Sequence, residues 1–168
     1  MARKKSYTIN ATGKGIEICE DTKEKKDKGS GNLSEEGRVL LRFFDYSDKS
    51  NKAKMFRFVM DVAEANFLGY KVFEILRASG KVGFNTKPHK FKTKDGQEMS
   101  SSVRIERWSD TDGGKYAIQL FRGKDQVNVS MDESHFLYMG TFLQHLAIEQ
   151  SYSEYFGDQK AEKPRSLG

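Results

Sequence analysis

Cysteine, proline and long apolar runs are scarce in this chain, which has 1 Cys and 2 Pro among 168 residues. The single Cys19 excludes an intramolecular disulfide and any metal site that needs several cysteines. No apolar run approaches the ~18 residues that a membrane-spanning helix requires. The start, MARKKSYTIN, lacks the apolar core of a secretory signal. These absences predict a cytoplasmic protein that does not enter a membrane.

Catalytic patterns are equally scarce. The chain has 3 histidines, and His135 and His145 are ten residues apart on one expected helix, which is not a metal-ligand spacing. The segment Gly13-Lys14-Gly15 lacks the length and the Lys-Ser/Thr ending of a P-loop. No pair of carboxylates stands out as acid and base. The sequence therefore predicts a protein that is not an enzyme and binds neither a metal nor a cofactor.

The net positive charge of the chain is concentrated at its two ends. The net charge is +5, and much of it lies in the basic tail at residues 1–6. A further part lies in residues 157–168, whose Pro, Ser and Gly content predicts a disordered tail. The intervening residues are nearly neutral. An affinity for nucleic acid must therefore come from local patches and not from the overall charge.

One segment of the sequence occurs twice. Residues 60–69 read MDVAEANFLG and residues 131–140 read MDESHFLYMG, so Met, Asp and Gly recur at an offset of 71 residues. An apolar stripe with helical spacing continues in the same register through both copies. Its members are Leu68, Val72 and Ile75 in the first copy and Met139, Leu143 and Leu146 in the second. Both segments are therefore expected to form helices.

The ends and the glycines of these helices carry further information. Asp61 with Glu64 resembles a capping box at the first helix, and Ser130 is a candidate cap for the second. Gly69 and Gly140 each cost about 1 kcal/mol inside a helix. Such a cost is tolerated where a helix approaches another element closely. We expect each glycine to face a sheet or the other repeat.

Alternating apolar and polar residues precede each helix and predict strands. In the second half, strands are expected near residues 103–107, 115–123 and 126–131. The stretch KPHKFKTKDG at 87–96 supplies a fourth strand with an Asp-Gly turn. The first half follows the same plan, except that the polar residues 22–37 are typical of a flexible loop.

The resulting fold class is α+β, with two β-β-β-β-α repeats at residues 7–80 and 81–156. Each antiparallel sheet is expected to be backed by its own C-terminal helix. The alternation also assigns basic, aromatic and amide side chains to the outer sheet faces, with three lysines alongside. These candidate nucleic-acid-binding residues are Arg42, Phe44, Tyr46, Arg57, Lys90, Lys92, Lys94, Arg104, Trp108, Gln119, Phe121 and Asn128.

Basic and aromatic side chains on one sheet face suit a single strand of nucleic acid. Aromatic rings stack on bases for ~1–3 kcal/mol each, while cations follow the phosphates. Two alternatives remain open for these side chains. A second protein layer would bury the same aromatics as ordinary core, and lysines on an edge strand prevent unwanted pairing.

The segment QVNVSMDESHFLYMGTFLQHL at 126–146 resembles the PUR-repeat family, and the doubled strand–helix order is similar to the wider Whirly-type fold group. The resemblance covers roughly residues 7–150. It implies a sheet face that binds single-stranded DNA or RNA with weak sequence preference, DNA ahead of RNA. The Lys-Gly-Lys-type signature of plant Whirly proteins is missing, which argues against that branch.

Two functional classes follow. The first is a single-strand-binding protein in replication, recombination or transcription, favoured by the lysines and the alternation of arginine with aromatics. The second is a protein-interaction module that regulates a polymerase, nuclease or other partner of that machinery, favoured by the nearly neutral interior. Whether the fold closes within one chain or needs a homodimer stays open.

Overall fold

The first half of the chain forms four antiparallel strands and a helix. The computed structural model describes residues 5–50, 52–109 and 115–160. Sheet A has the strand order β1-β2-β3-β4, and α1 follows its last strand. The bounds are β1 (Ser6–Ala11), β2 (Lys14–Lys26), β3 (Leu33–Asp45), β4 (Lys54–Met60) and α1 (Val62–Arg77).

The second half forms a five-stranded antiparallel sheet and a longer helix. Sheet B has the order β5-β7-β8-β9, and β6 pairs with β7 beside β5. The bounds are β5 (Gly83–Asn85), β6 (His89–Lys92), β7 (Glu98–Ser109), β8 (Lys115–Arg122), β9 (Asp125–Met131) and α2 (Glu133–Lys160). Two short strands thus occupy the edge where the sequence predicted one, because Thr86, Lys87 and Pro88 separate them.

Both sheets turn their apolar faces towards one shared core. Ile16, Leu41 and Phe58 of sheet A belong to the same buried cluster as Ile105 and Ile118 of sheet B. The residues expected to face the core of these strands are buried, but Leu40, Ala117 and Gln119 at the alternate positions are buried as well. The outer faces of the two sheets consequently point away from each other.

The expectation that each sheet is backed by its own helix is wrong. Helix α2 follows sheet B but lies mainly against β3 of sheet A and against α1. Near its C-terminal half, Gln150 Nε2 donates to the carbonyl oxygens of Asp21 at 2.6 Å and Arg38 at 2.8 Å. The two repeats are therefore interlocked, since the helix of the second completes the core of the first.

The loop expected at residues 22–37 is much shorter. Strands β2 and β3 stay paired from Thr22↔Gly37 to Lys26↔Leu33, which leaves only residues 27–32 as the turn. These charged ends of β2 and β3 lack an apolar face, but the backbone hydrogen bonds that pair two strands do not require one. Cross-strand charge adds support, since Lys25 Nζ lies 2.6 Å from Glu36 Oε2.

The ends of α2 also differ from the expectation. Asp132, and not Ser130, caps the helix: its carboxylate accepts from the backbone N–H of His135 at 2.9 Å. This bond, with others from the His135 ring and Ser134, lowers the pKa of Asp132 to about 2.

The helix runs to Lys160, so residues 157–160 of the expected disordered tail are helical. Residues 1–4 of the basic tail and 161–168 lie outside the described residues. Within the described part, no helix is long and apolar enough to span a membrane.

Candidate nucleic-acid interface

The twelve predicted residues occupy three surfaces. Face A, the outer face of sheet A, carries Arg42, Phe44 and Arg57, with Tyr46 directly after β3. Face B, the outer face of sheet B, carries Arg104, Trp108, Gln119, Phe121 and Asn128. The lysine edge consists of Lys90 and Lys92 on β6 and Lys94 in the turn that follows.

The lysine edge is continuous with face B, whereas face A lies on the other side of the core. Lys90 is paired with Ser100 of β7, and Ser100 shares its sheet face with Arg104 because alternate residues point the same way. Arg42 and Arg57 are paired on sheet A. The predicted residues therefore form two separate patches and not one.

On face A, a guanidinium and two stacked rings lie together. Arg42 Nη2 donates to both carboxylate oxygens of Glu17 at 2.8 Å. The Arg42 Cζ atom lies 6.0 Å from the Phe44 ring centroid. The Phe44 and Tyr46 rings are stacked at 5.9 Å with an interplanar angle of 8°, and Tyr46 is 50% exposed. Face A thus offers an exposed aromatic platform, but Glu17 offsets much of the charge of Arg42.

On face B, one carboxylate organises the predicted side chains. Glu106 accepts from Arg104 Nε at 2.8 Å, from Gln119 Nε2 at 2.7 Å and from the indole N–H of Trp108. Burial alone would raise the pKa of Glu106, but these hydrogen bonds outweigh it and the pKa lies below its ordinary value. Lys115 Nζ stands 5.8 Å from the Trp108 ring. Glu106 and Lys115 thus contact the indole from two sides and fix its orientation.

Gln119 lies on the predicted face, yet it is only 6% exposed. Its amide is engaged with Glu106 beneath the neighbouring side chains, so it supports the face and does not present a free group to a ligand. Trp108, Phe121 and Asn128 are half-buried and reach the surface.

The lysine edge presents two free cations. Lys90 and Lys92 are exposed, and neither side chain has a hydrogen-bond or ion-pair partner among the described residues. They border a groove of about 490 Å³. Beneath them, Arg122 Cζ lies 4.8 Å from the Phe91 ring.

Lys94 departs from the expected row of lysines on one strand face. Strand β6 ends at Lys92, and Thr93 begins a turn closed by its N–H to the Gln97 carbonyl oxygen at 2.9 Å. The strand thus ends two residues earlier than expected, and Lys94 lies in the turn with the Asp-Gly pair.

A further concave surface was not found from the sequence. The α1–β5 groove has a volume of about 800 Å³ and lies between the start of α1 and the end of β5. It is lined by Asp61, Ala63, Glu64, Phe67, Phe84, Asn85, Thr86, Lys87 and His89. The one available signal was Phe67, an aromatic residue outside the apolar stripe of its helix.

An acid–histidine pair forms one wall of this groove. His89 Nε2 lies 2.7 Å from Glu64 Oε1 and 3.0 Å from Oε2. The His89 ring stacks on Phe58 at 4.2 Å, which anchors the pair to the core of sheet A. Burial raises the pKa of Glu64, and the neighbouring His89 acts in the opposite direction. Among the described residues, no group of three His, Cys, Asp or Glu could hold a metal ion.

Sequence comparison and structure comparison give different results. No family model matches the chain, and no curated protein sequence matches it. Solved structures do match. The crystal structure of WHY1 from Arabidopsis thaliana has 13% identity and a TM-score of 0.55, with 100% of this chain and 99% of that chain covered.

Two further structures agree. The plant transcriptional regulator PBF-2 has 13% identity and a TM-score of 0.53, over 99% of this chain and 91% of that chain. WHY3 from Arabidopsis thaliana has 12% identity and a TM-score of 0.54, over 92% of each chain. The PUR-repeat resemblance stays a prediction. At these identities the likeness concerns the fold alone, and the chain has a Whirly-type fold.

Proposed function

We propose that this chain is a single-stranded nucleic-acid-binding protein that prefers DNA to RNA, has little sequence specificity and acts in replication, recombination or transcription. The observation that carries the proposal is the continuity of face B with the lysine edge, which unites Lys90, Lys92, Arg104, Trp108 and Phe121 on one side of sheet B. The likeness in fold to the plant transcriptional regulator PBF-2 supports it.

The chemistry of this surface suits unpaired bases. The Trp108 and Phe121 rings are half-buried, so each is held in place with part of its surface open to solvent. Bases stack on such rings whatever their identity, and the exposed Lys90 and Lys92 can follow the phosphates. A paired duplex hides the faces of its bases and cannot use the rings. Weak sequence preference follows, because stacking does not read base edges.

The first test is fluorescence anisotropy with labelled single-stranded DNA, single-stranded RNA and duplex DNA, each across a salt series. Single-stranded DNA is expected to bind most tightly, with the logarithm of affinity falling linearly as the logarithm of salt concentration rises. The slope counts the phosphates that are neutralised. Equal or tighter binding of the duplex would contradict the proposal.

Substitutions on the two patches locate the binding surface. Trp108→Ala and Phe121→Ala should each weaken single-strand binding by ~1–3 kcal/mol, because each removes a stacking ring. Phe44→Ala on face A is the matched control for a short strand, since that ring lies on the opposite side of the core. Circular dichroism checks folding. Unchanged affinity in both face B variants, or unfolding of both, would overturn the assignment of this face.

A protein-interaction module that regulates a polymerase, nuclease or other partner is the second candidate. Ion pairing favours it: Arg38 with Asp21, Arg42 with Glu17, and Arg104 with Glu106 reduce the positive potential of both faces. Absence of single-strand binding at low salt would select this candidate. For both candidates we propose that the protein is cytoplasmic and forms a homodimer. Analytical ultracentrifugation measures the mass in solution and so tests the homodimer.

A further inference from the structure

The α1–β5 groove lies where face B ends. One row of paired residues crosses sheet B from β9 to β5: Asn128, Gln119, Arg104 and Asn85. Asn85 belongs both to this row and to the lining of the groove. A strand that lies along the row therefore reaches the mouth of the groove when it passes the β5 edge.

The groove has an aromatic wall that solvent reaches. Phe67 of α1 is 50% exposed and meets the Phe84 ring edge-to-face, with centroids 5.5 Å apart and an interplanar angle of 81°. Lys71 Nζ lies 5.2 Å and 5.4 Å from these two rings. The exposed Phe67 ring, held in this orientation by Phe84, offers a flat apolar face against which a planar ligand can pack.

The polar groups that line the rest of the groove, Glu64 and Lys87, indicate which polar groups a ligand needs. Both oxygens of the Glu64 carboxylate approach the same His89 nitrogen, so the carboxylate retains lone pairs for a further donor. Lys87 is exposed on the rim, and its side chain has no partner among the described residues. The groove thus combines an exposed aromatic ring, a hydrogen-bond acceptor and a cation.

We propose that the α1–β5 groove holds one unpaired base of the strand that crosses face B. The base packs against Phe67, its exocyclic amino group donates to Glu64, and Lys87 contacts the adjoining phosphate. The inference rests on the proposed function and adds to it one nucleotide position of the bound strand at which the protein prefers certain bases. Cytosine and the amino purines are favoured there over thymine, which has no exocyclic amine.

The test uses the full chain and one single-stranded oligo(dT) in which each position in turn is replaced by an abasic site or by cytosine. In the wild-type protein, one position should respond: its abasic form binds roughly tenfold more weakly, as expected for one stacked base, and its cytosine form binds more tightly. Phe67→Ala should abolish both responses.

Tyr70→Ala is the matched control, because Tyr70 lies one turn along α1, is 46% exposed and does not line the groove. It should leave the position-dependent response intact. Phe67→Leu, which keeps an apolar contact but removes the flat ring, replaces Phe67→Ala if that variant does not fold.

The outcomes separate this inference from the function on which it rests. If the wild-type protein binds the oligonucleotide but no position responds, or if Phe67→Ala responds as the wild type does, the base site is refuted and single-strand binding stands. If the wild-type protein binds no single strand, both are refuted.

Discussion

Arg107 shows how a single buried cation can hold one element against another. It is 9% exposed on the inner face of β7, and its guanidinium donates to three carbonyl oxygens at the end of α1. Nη2 reaches Ile75 at 2.9 Å and Leu76 at 3.1 Å, while Nη1 donates to Ala78. The last carbonyls of a helix carry partial negative charge and lack intrahelical partners. Arg107 thus caps α1 from the neighbouring sheet.

Replacing Arg107 with methionine is expected to lower the free energy of unfolding by about 3 kcal/mol, because three carbonyl groups that are wholly or partly buried lose their donor at once. Urea denaturation followed by circular dichroism measures the change. Arg104→Met, a similar substitution on the outer face of the same strand, is the control and should cost less than about 1 kcal/mol. A loss below about 0.5 kcal/mol in Arg107→Met would refute the capping role.

The sequence could place Arg107 on the inner face of β7 but could not show why an arginine is buried there. The alternation that turns Val103 and Ile105 inward also turns Arg107 inward, yet arginine on an inner face has no visible partner in the sequence. Its acceptors lie about thirty residues away, at the end of α1. Gln119 is a comparable case, since only the positions of its neighbours reveal that it is covered.

At the scale of elements, the two helices cross at their matching glycines. A Cβ atom on Gly69 would lie 2.8 Å from the Gly140 carbonyl oxygen. A Cβ atom on Gly140 would lie 2.8 Å from Val72 Cγ1 and 2.9 Å from Val72 Cβ. These distances are shorter than ordinary van der Waals contact. The expected close approach is confirmed, and its partner is the other repeat and not a sheet.

Gly140→Ala is therefore expected to destabilise the protein, although alanine is the better helix former by about 1 kcal/mol. Separating the helices to admit a methyl group typically costs about 1–3 kcal/mol, and the β-branched Val72 has little freedom to move aside. The midpoint of thermal unfolding reports the change. Gly29→Ala, where the nearest atom would be at 3.8 Å, should have almost no effect. A rise in the midpoint for Gly140→Ala would contradict the tight crossing.

The paired polar ends of β2 and β3 show why the sequence predicted a loop at residues 22–37. Lysines, glutamates and glycines without an apolar pattern are typical of a loop. Pairing between the polar ends depends on register, which the buried parts of β2 and β3 set by placing Ile16 opposite Phe43 and Ile18 opposite Leu41. The polar extensions continue that ladder without an apolar pattern of their own.

At the scale of the whole molecule, neither repeat has a complete core. Helix α2 covers β3 of the first repeat, and buried residues from both halves form one cluster. A fragment of residues 1–80 is therefore expected to remain unfolded, because the apolar face of β3 would be left in water. Far-ultraviolet circular dichroism tests this directly.

Adding the complementary fragment 81–168 should restore secondary structure, since the missing surface is then supplied by a separate chain. A matched control is 81–168 with Gly140→Ala, which should restore it less completely. Cooperative thermal unfolding of fragment 1–80 alone would show that the repeats are independent.

The sequence by itself determined most of the strands, both helices, the residues that face the core, the doubled unit and the close approach at the two glycines. All of these follow from periodicity and residue chemistry, which act locally. Only the tertiary structure decided which helix covers which sheet, that the candidate residues form two patches, and that α1 and β5 enclose a groove. Those features depend on contacts between residues distant in sequence, where many pairings satisfy the same local pattern and packing of the whole chain selects one.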